Sequence, residues 1–300
     1  MPTRILVPPG IGDIYWVTVK LRSMASKLGW KLPVEATVVS YFDKLDAHKR
    51  GLDFIRMYPE LYTIGSPDCV ENDKSCQAVW DEAYLGPGNS IFPGVMGYDY
   101  FIAYNGVINS GGYLETCDDF ECDWRVPPVV RQAYPSKFML CFFPFLGTYE
   151  SHERDFPIEK IAGVLNEIIM LTGFIPIFLG GRTEAAYDTK QAELINMFPN
   201  AINLVGRTSL PKVMQLVDQA SLIFGYHSGI PNLGAAMGIP TVLLWDDRYP
   251  ASTAFACVPP EVRGSTYQPV ETKGATSDKI LKAISKARVH ARPRIHPKFP

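Results

Sequence analysis

Short apolar runs alternate with amphipathic stretches along this chain, and the alternation starts twice. "TRILVPP" (residues 3–9) is an apolar run closed by a Pro-Gly turn signal, and "GIGD" follows it. Ile14, Val17, Leu21, Met24 and Leu28 then recur at helical spacing. That is strand, turn, helix. "EATVVSYF" (35–42) predicts a second strand, "GLDFIRMYPEL" (51–61) a helix, and "YDYFIAYNG" (98–106) a further strand. Strands that alternate with helices imply a parallel sheet covered on both faces, because a parallel crossover needs a connection long enough to hold a helix.

The pattern breaks at "RVPPVVRQAYP" (125–135), whose three prolines have no place in a sheet interior and mark a linker. It then restarts. "KFMLCFF" (137–143) predicts a strand, "IEKIAGVLNEIIMLTG" (158–173) an amphipathic helix ending at glycine, and "IPIFLGG" (175–181) a strand. A helix is expected over 184–197, then a short strand in "AINLVG" and a helix in "SLPKVMQLVDQA". "FGYHSGIPNLGAAMGIPTVLLW" (224–245) is a strand, a glycine-lined polar turn, a helix over 229–237 and another strand. A last helix, 277–288, precedes a basic, proline-broken tail.

At 300 residues and 47% hydrophobic composition there is apolar material for two cores of the usual size. The expected architecture is therefore α/β, with two Rossmann-like parallel-sheet domains facing each other across a cleft. The expected divisions are 1–133, 134–275, and a helix and tail over 276–300 that can pack back on the N-terminal domain. A net charge of −2 excludes a global field for a polyanion. No basic-apolar-small leader and no apolar run of membrane-spanning length stand out, so a cytoplasmic protein with no transmembrane segment is expected. Cys69 and Cys76, and Cys117 and Cys122, are spaced too widely for the tight pairs that preset zinc ligation. Free thiols are the first reading of these four, zinc or disulfides the others.

In doubly wound sheets, ligands sit at the carboxyl ends of strands near helix N-termini. Three stretches fit. Gly10-Ile11-Gly12-Asp13 offers a tight turn and a carboxylate that either caps the helix or faces a ligand. It lacks the dinucleotide fingerprint, since Tyr15 stands where a glycine is needed. Gly180-Gly181 ends a strand, and Glu184 in the following helix either complements its dipole or accepts hydrogen bonds from ribose hydroxyls. Ser228 and Gly229 open the helix after Gly225, where free amides and the positive dipole end can hold a diphosphate.

Together these stretches resemble a GT-B glycosyltransferase, closest to the ADP-heptose:lipopolysaccharide heptosyltransferases (glycosyltransferase family 9). "ILVPPGIGDIYWVTVKLRSM" is similar to that family's opening strand, G-x-G-D turn and helix. "RDFPIEKIAGVL" resembles its K-x-W-P segment, with Arg154 in the lysine position and Phe156 for Trp. "IFLGGRTEAAY" and "NLVGRTSLPKVMQLVDQASLIFGYHSGIPNLGAAMGIPTVLLW" resemble its glycine-pair segment and its long C-terminal signature. The resemblance implies Asp13 as general base toward the acceptor hydroxyl, and Arg154 as the cation that neutralises a donor phosphate. It implies Glu184 on the ribose, and Ser228 and Gly229 holding the diphosphate through backbone amides. Gly10, Gly12, Gly180, Gly181 and Gly225 would keep the turns bare.

The family's D-S-G-x-x-H reads here as His227-Ser228-Gly229-Ile-Pro-Asn232, so an imidazole replaces a carboxylate and an amide replaces an imidazole. His227 and Asn232 are expected to touch the sugar or the diphosphate of a donor other than ADP-heptose. The implied activity is inverting, metal-independent transfer of a sugar from a nucleotide-diphosphate sugar, with no cofactor. The acceptor would be a glycan, a lipid-linked sugar or another hydroxyl-bearing molecule; a hydroxyl on a modified nucleic-acid base is an alternative, supported only by the basic tail. Sugar-nucleotide epimerisation or hydrolysis, and non-catalytic binding of a sugar nucleotide, are the competing readings.

Overall fold

A computed structural model of the chain describes residues 1–40, 47–68, 70–71, 74, 78, 91–102, 134–145, 156–245 and 258–289. The chain divides into two compact units, Met1–Arg125 and Val126–Pro300.

In the first unit, β1 (Arg4–Val7) runs into α1 (Ile11–Leu28), followed by β2 (Val34–Ser40), α2 (Ala47–Arg56), β3 (Tyr62–Ile64), β4 (Val70–Glu71), β5 (Ile91–Pro93) and β6 (Tyr100–Ile102). The sheet order is β3-β2-β1-β6-β5, with β4 beside β2. Every pairing is parallel except β5 with β6. Ile5, Leu6 and Val7 are fully buried, and so are Ile14, Val17 and Leu21 of α1. The helical spacing read from the sequence is therefore the face that packs on the sheet.

The second unit contains β7 (Phe138–Phe142), α3 (Ile158–Thr172), β8 (Ile175–Phe178), α4 (Arg182–Tyr187), α5 (Thr189–Asn196), β9 (Ile202–Asn203), α6 (Leu210–Gln219), β10 (Leu222–Tyr226), α7 (Gly229–Ala236), β11 (Thr241–Trp245), β12 (Tyr267–Glu271) and α8 (Ser277–Val289). All its strands pair in parallel, in the order β12-β11-β10-β7-β8-β9. This is the doubly wound arrangement: the chain winds outward from β7 to β9, returns to β10 on β7's other side, and winds outward again. Leu222, Phe224, Tyr226, Val242 and Leu244 share one core with Ile161 and Leu165 of α3 and Ile280 and Ile284 of α8. Leu243 packs on the opposite face with Ala235 of α7 and Tyr267 of β12. The first of these cores, in the second unit's own sheet, seats α8.

The helix expected over 184–197 is two helices. Asp188 separates α4 from α5 and caps the second, its carboxylate accepting from the Gln191 amide at 2.9 Å. Its other oxygen accepts from the Phe145 amide at 2.7 Å, so the same buried side chain secures the chain where it leaves β7. The proposed linker lies mostly outside the described residues, and so do Cys69, Cys76, Cys117 and Cys122. Among the described residues no helix is long and apolar enough to cross a membrane.

Candidate functional site

The winding of the second sheet reverses between β7 and β10, so the crevice at their carboxyl ends is where this topology opens to a ligand. The two strands are in register there, Gly225 opposite Phe142. The segments that leave them are residues 143–157 and the turn His227-Ser228 that leads into α7.

That turn is built to begin a helix without a side-chain cap. Ser228 is fully extended (φ −165°, ψ 169°) and its hydroxyl makes no capping hydrogen bond. Its carbonyl accepts from the Asn232 amide at 3.2 Å, closing the first helical turn. Pro231, third in the helix, has no amide hydrogen, so the donors of this turn are the amides of Gly229 and Ile230. An anion placed there would meet backbone donors and the positive end of the helix dipole.

Gly225 has a different use from the one its position suggested. A Cβ on it would overlap the carbonyl oxygen and backbone of Phe142 on the adjacent strand. The glycine is required by the β7–β10 pairing itself. The close helix-on-sheet contact falls to Gly234, where a Cβ would meet the Ile223 side chain.

Tyr226 ends β10 as a buried hub. Its ring meets Phe143 and Phe145 edge-on, with centroids 5.5 and 5.6 Å away, and its hydroxyl donates to the Phe156 carbonyl at 3.4 Å. Phe145 and Phe156, the described residues on either side of 146–155, thus both meet Tyr226 at the foot of the turn. Arg154 lies outside the described residues, two positions before Phe156. Asp188 and Tyr226, which hold these two residues, were not singled out by the sequence; the N-cap pattern before "TKQAELIN" is the signal that could have found the first.

His227 is half-buried, with its ring edge-on to Trp245 at 4.5 Å. Its Nε2 lies 3.1 Å from Asn232 Nδ2, and the Asn232 carbonyl oxygen accepts from the Tyr267 hydroxyl at 3.4 Å. Asn232 is 1% exposed, and each end of its amide meets a protein partner. It was expected to reach a ligand; within the protein its amide joins Tyr267 to His227. On the other side of the crevice, Gly180 and Gly181 lend their carbonyls to the amides of Gly206 and Ala185, at 3.0 and 3.1 Å. Glu184 lies in α4, and its side chain is outside the described residues.

In the first unit, the sheet winding reverses between β1 and β6, and the turn after β1 carries Gly10 and Asp13. Gly10 is the N-cap of α1 with ordinary extended angles (φ −70°, ψ 135°), and its carbonyl accepts from the Ile14 amide at 3.0 Å. Asp13 is the third helical residue, half-buried, and its carboxylate folds back over Gly10 so closely that a Cβ there would overlap Oδ2. This is how an acidic residue in a first turn serves the helix start. It also holds the carboxylate at the carboxyl end of β1, where a ligand of this sheet would sit. Ile11 and Gly12, the first two helical residues, lie between Gly10 and Asp13.

Among the described residues no three His, Cys, Asp or Glu side chains gather as a metal site, and Asp246 and Asp247 lie outside them.

Residues 130–276 match the model of glycosyltransferase family 9 (heptosyltransferase). A glycosyltransferase family 9 structure from Veillonella parvula superimposes with a TM-score of 0.59 at 14% identity, covering 96% of this chain and 97% of that one. The E. coli ADP-heptose lps heptosyltransferase II gives 0.54 at 13% identity, with 96% and 99% covered. S. aureus MnaA, solved with UDP, gives 0.53 at 10% identity, with 100% and 93% covered. At these identities the likeness to solved structures is one of fold: the two units are those of GT-B proteins. No curated protein matches the chain.

Proposed function

Residues 130–276 are a glycosyltransferase family 9 domain and the chain is a glycosyltransferase; from that premise we propose that it transfers a sugar from a nucleotide-diphosphate sugar to an acceptor hydroxyl, with inversion and without metal. The observation that carries this reading is the start of α7. An uncapped helix N-terminus, with Gly229 and Ile230 as its amide donors, stands at the carboxyl end of β10, where the sheet's winding reverses. Backbone donors fixed at that point absorb the charge that grows on a departing diphosphate and need no reorganisation as it leaves. Arg154 would add a cation: it is two residues from Phe156, whose carbonyl is tied to Tyr226 beside the turn. Glu184 would accept from the ribose. Asp13 would take the acceptor's proton, which leaves the attacking oxygen as the nucleophile at the anomeric carbon.

The experiment is a panel of ADP-, UDP-, GDP- and CDP-sugars, scored first for binding and then for nucleotide release with and without candidate acceptors. Release that requires an acceptor supports transfer. Release without one, or conversion of the sugar, makes the protein a hydrolase or epimerase, and tight binding without turnover makes it a sugar-nucleotide-binding protein. The acceptor panel includes lipid-linked and soluble glycans, with hydroxylated nucleic-acid bases as the alternative class.

A further inference from the structure

An amide side chain has one accepting end and one donating end, and Asn232 uses both inside the protein. Its Oδ1 accepts from the Tyr267 hydroxyl at 3.4 Å, and its Nδ2 faces His227 Nε2 at 3.1 Å. Asn232 is 1% exposed and Tyr267 is fully buried on β12, so neither group exchanges its partner for bulk water at no cost. With Oδ1 on the phenol, the group presented to His227 is an N–H, and Nε2 accepts it. A ring nitrogen that accepts carries no proton, so the imidazole's hydrogen sits on Nδ1. Trp245, edge-on to the ring at 4.5 Å and almost fully buried, opposes the rotation that would exchange the two nitrogens.

We propose that Tyr267, acting through Asn232, is a positioning residue that holds His227 as the neutral imidazole with its proton on Nδ1. The value of this to catalysis rests on reading the turn as the donor site: a neutral imidazole is a directional hydrogen-bonding group, whereas an imidazolium would be a nonselective attraction for any anion. The tautomer itself does not depend on the ligand.

The test is long-range ¹H–¹⁵N correlation on the full chain labelled with ¹⁵N-histidine, at a pH where free histidine is neutral. His227 is assigned among the five histidines as the signal missing from His227→Gln. The wild-type protein is expected to show the Nδ1–H pattern for His227. Tyr267→Phe removes the donor to Oδ1 while keeping the ring, and is expected to give an averaged pattern from both tautomers, with a thermal midpoint within a few degrees of wild type. Asn232→Asp presents only acceptors, and is expected to put a proton on Nε2. An Nε2–H pattern in the wild-type protein overturns the proposal, and so does an unchanged Nδ1–H pattern in a folded Tyr267→Phe. Were Tyr267→Phe to unfold, the wild-type spectrum and Asn232→Asp would still decide it. Failure of every nucleotide sugar to bind would sink the donor-site reading and leave this result standing.

Discussion

Gly10→Ala separates a helix cap from a catalytic base at Asp13, because the two roles predict opposite effects from the same added methyl. The backbone at Gly10 (φ −70°, ψ 135°) is open to any L residue, so alanine strains nothing there. What the methyl meets is the Asp13 carboxylate, the free end of a side chain, which must swing aside. For stability the terms nearly cancel. Alanine is a poorer N-cap than glycine and the folded-back acid is disturbed, at about 0.5–1 kcal/mol each. The loss of unfolded-state freedom returns about 0.4–1 kcal/mol. The net change is within about 1 kcal/mol, a few degrees in the thermal midpoint at most.

For transfer the terms do not cancel. Displacing a general base by about 1 Å costs on the order of 100-fold, and removing one costs roughly 10²- to 10⁴-fold. Gly10→Ala should therefore lower kcat by about 10- to 100-fold, with donor affinity within a few-fold and the fold intact. Asp13→Asn, which keeps the shape and cannot take a proton, should lose at least as much. The assay is nucleotide release with the donor and acceptor identified by the panel, read beside a thermal melt. If Gly10→Ala keeps turnover within about two-fold of wild type while Asp13→Asn also does, Asp13 is a helix cap and the base lies elsewhere.

Gly225→Ala presses its methyl on the backbone of β7 and not on a movable side chain, so it should cost about 3 kcal/mol or more and lower the midpoint by roughly 6–12 °C in a melt. Burial pushes the Cys141 thiol well above its ordinary range. Its protonated folded form therefore contributes stability that is complete below the unfolded thiol's value, near about 8.5, and that is lost as pH rises beyond it. Urea titrations should show a slope approaching about 1.4 kcal/mol per pH unit that Cys141→Ala lacks. Transfer should survive EDTA with less than about two-fold loss, and a strict requirement for added magnesium or manganese would promote Asp246 and Asp247. Arg154→Ala should weaken nucleotide-sugar binding by about ten- to a hundred-fold in equilibrium titration, the worth of a charge-assisted hydrogen bond to phosphate; unchanged affinity would place the phosphate contact on other residues.

The sequence made the winding legible where the elements are long. The helical spacing from Ile14 to Leu28 is periodic over enough residues to stand alone, and the strands at 138–142 and 241–245 are continuous, fully buried runs of mostly apolar residues. Three- and two-residue strands such as Tyr62–Ile64 and Val70–Glu71 carry no period, and their place is set by register against β2. β12 was hidden by Pro269, which reads as a strand breaker but is tolerated because β12 is the sheet's edge. At the site, the polar turn and the glycines were legible as a strand-to-helix junction, but the reason for Gly225 was not. Its constraint is the carbonyl of Phe142, a partner over eighty residues away that only the register of β7 with β10 supplies.

The same non-locality governs the two positions that depart from the family's D-S-G-x-x-H. As letters, His227 and Asn232 are two separate losses, one of an acid and one of a histidine. In the fold they touch each other at 3.1 Å, so they form one contact. A carboxylate at 227 can only accept and a histidine at 232 can donate to it; here Nε2 accepts and the asparagine amide donates. The direction of the bond across the pair is therefore kept when both residues change. What differs is the group left over. A carboxylate's remaining oxygen accepts again from sugar hydroxyls, whereas the imidazole's remaining nitrogen donates. Position 227 thus changes from a group that can only accept to one that can also donate.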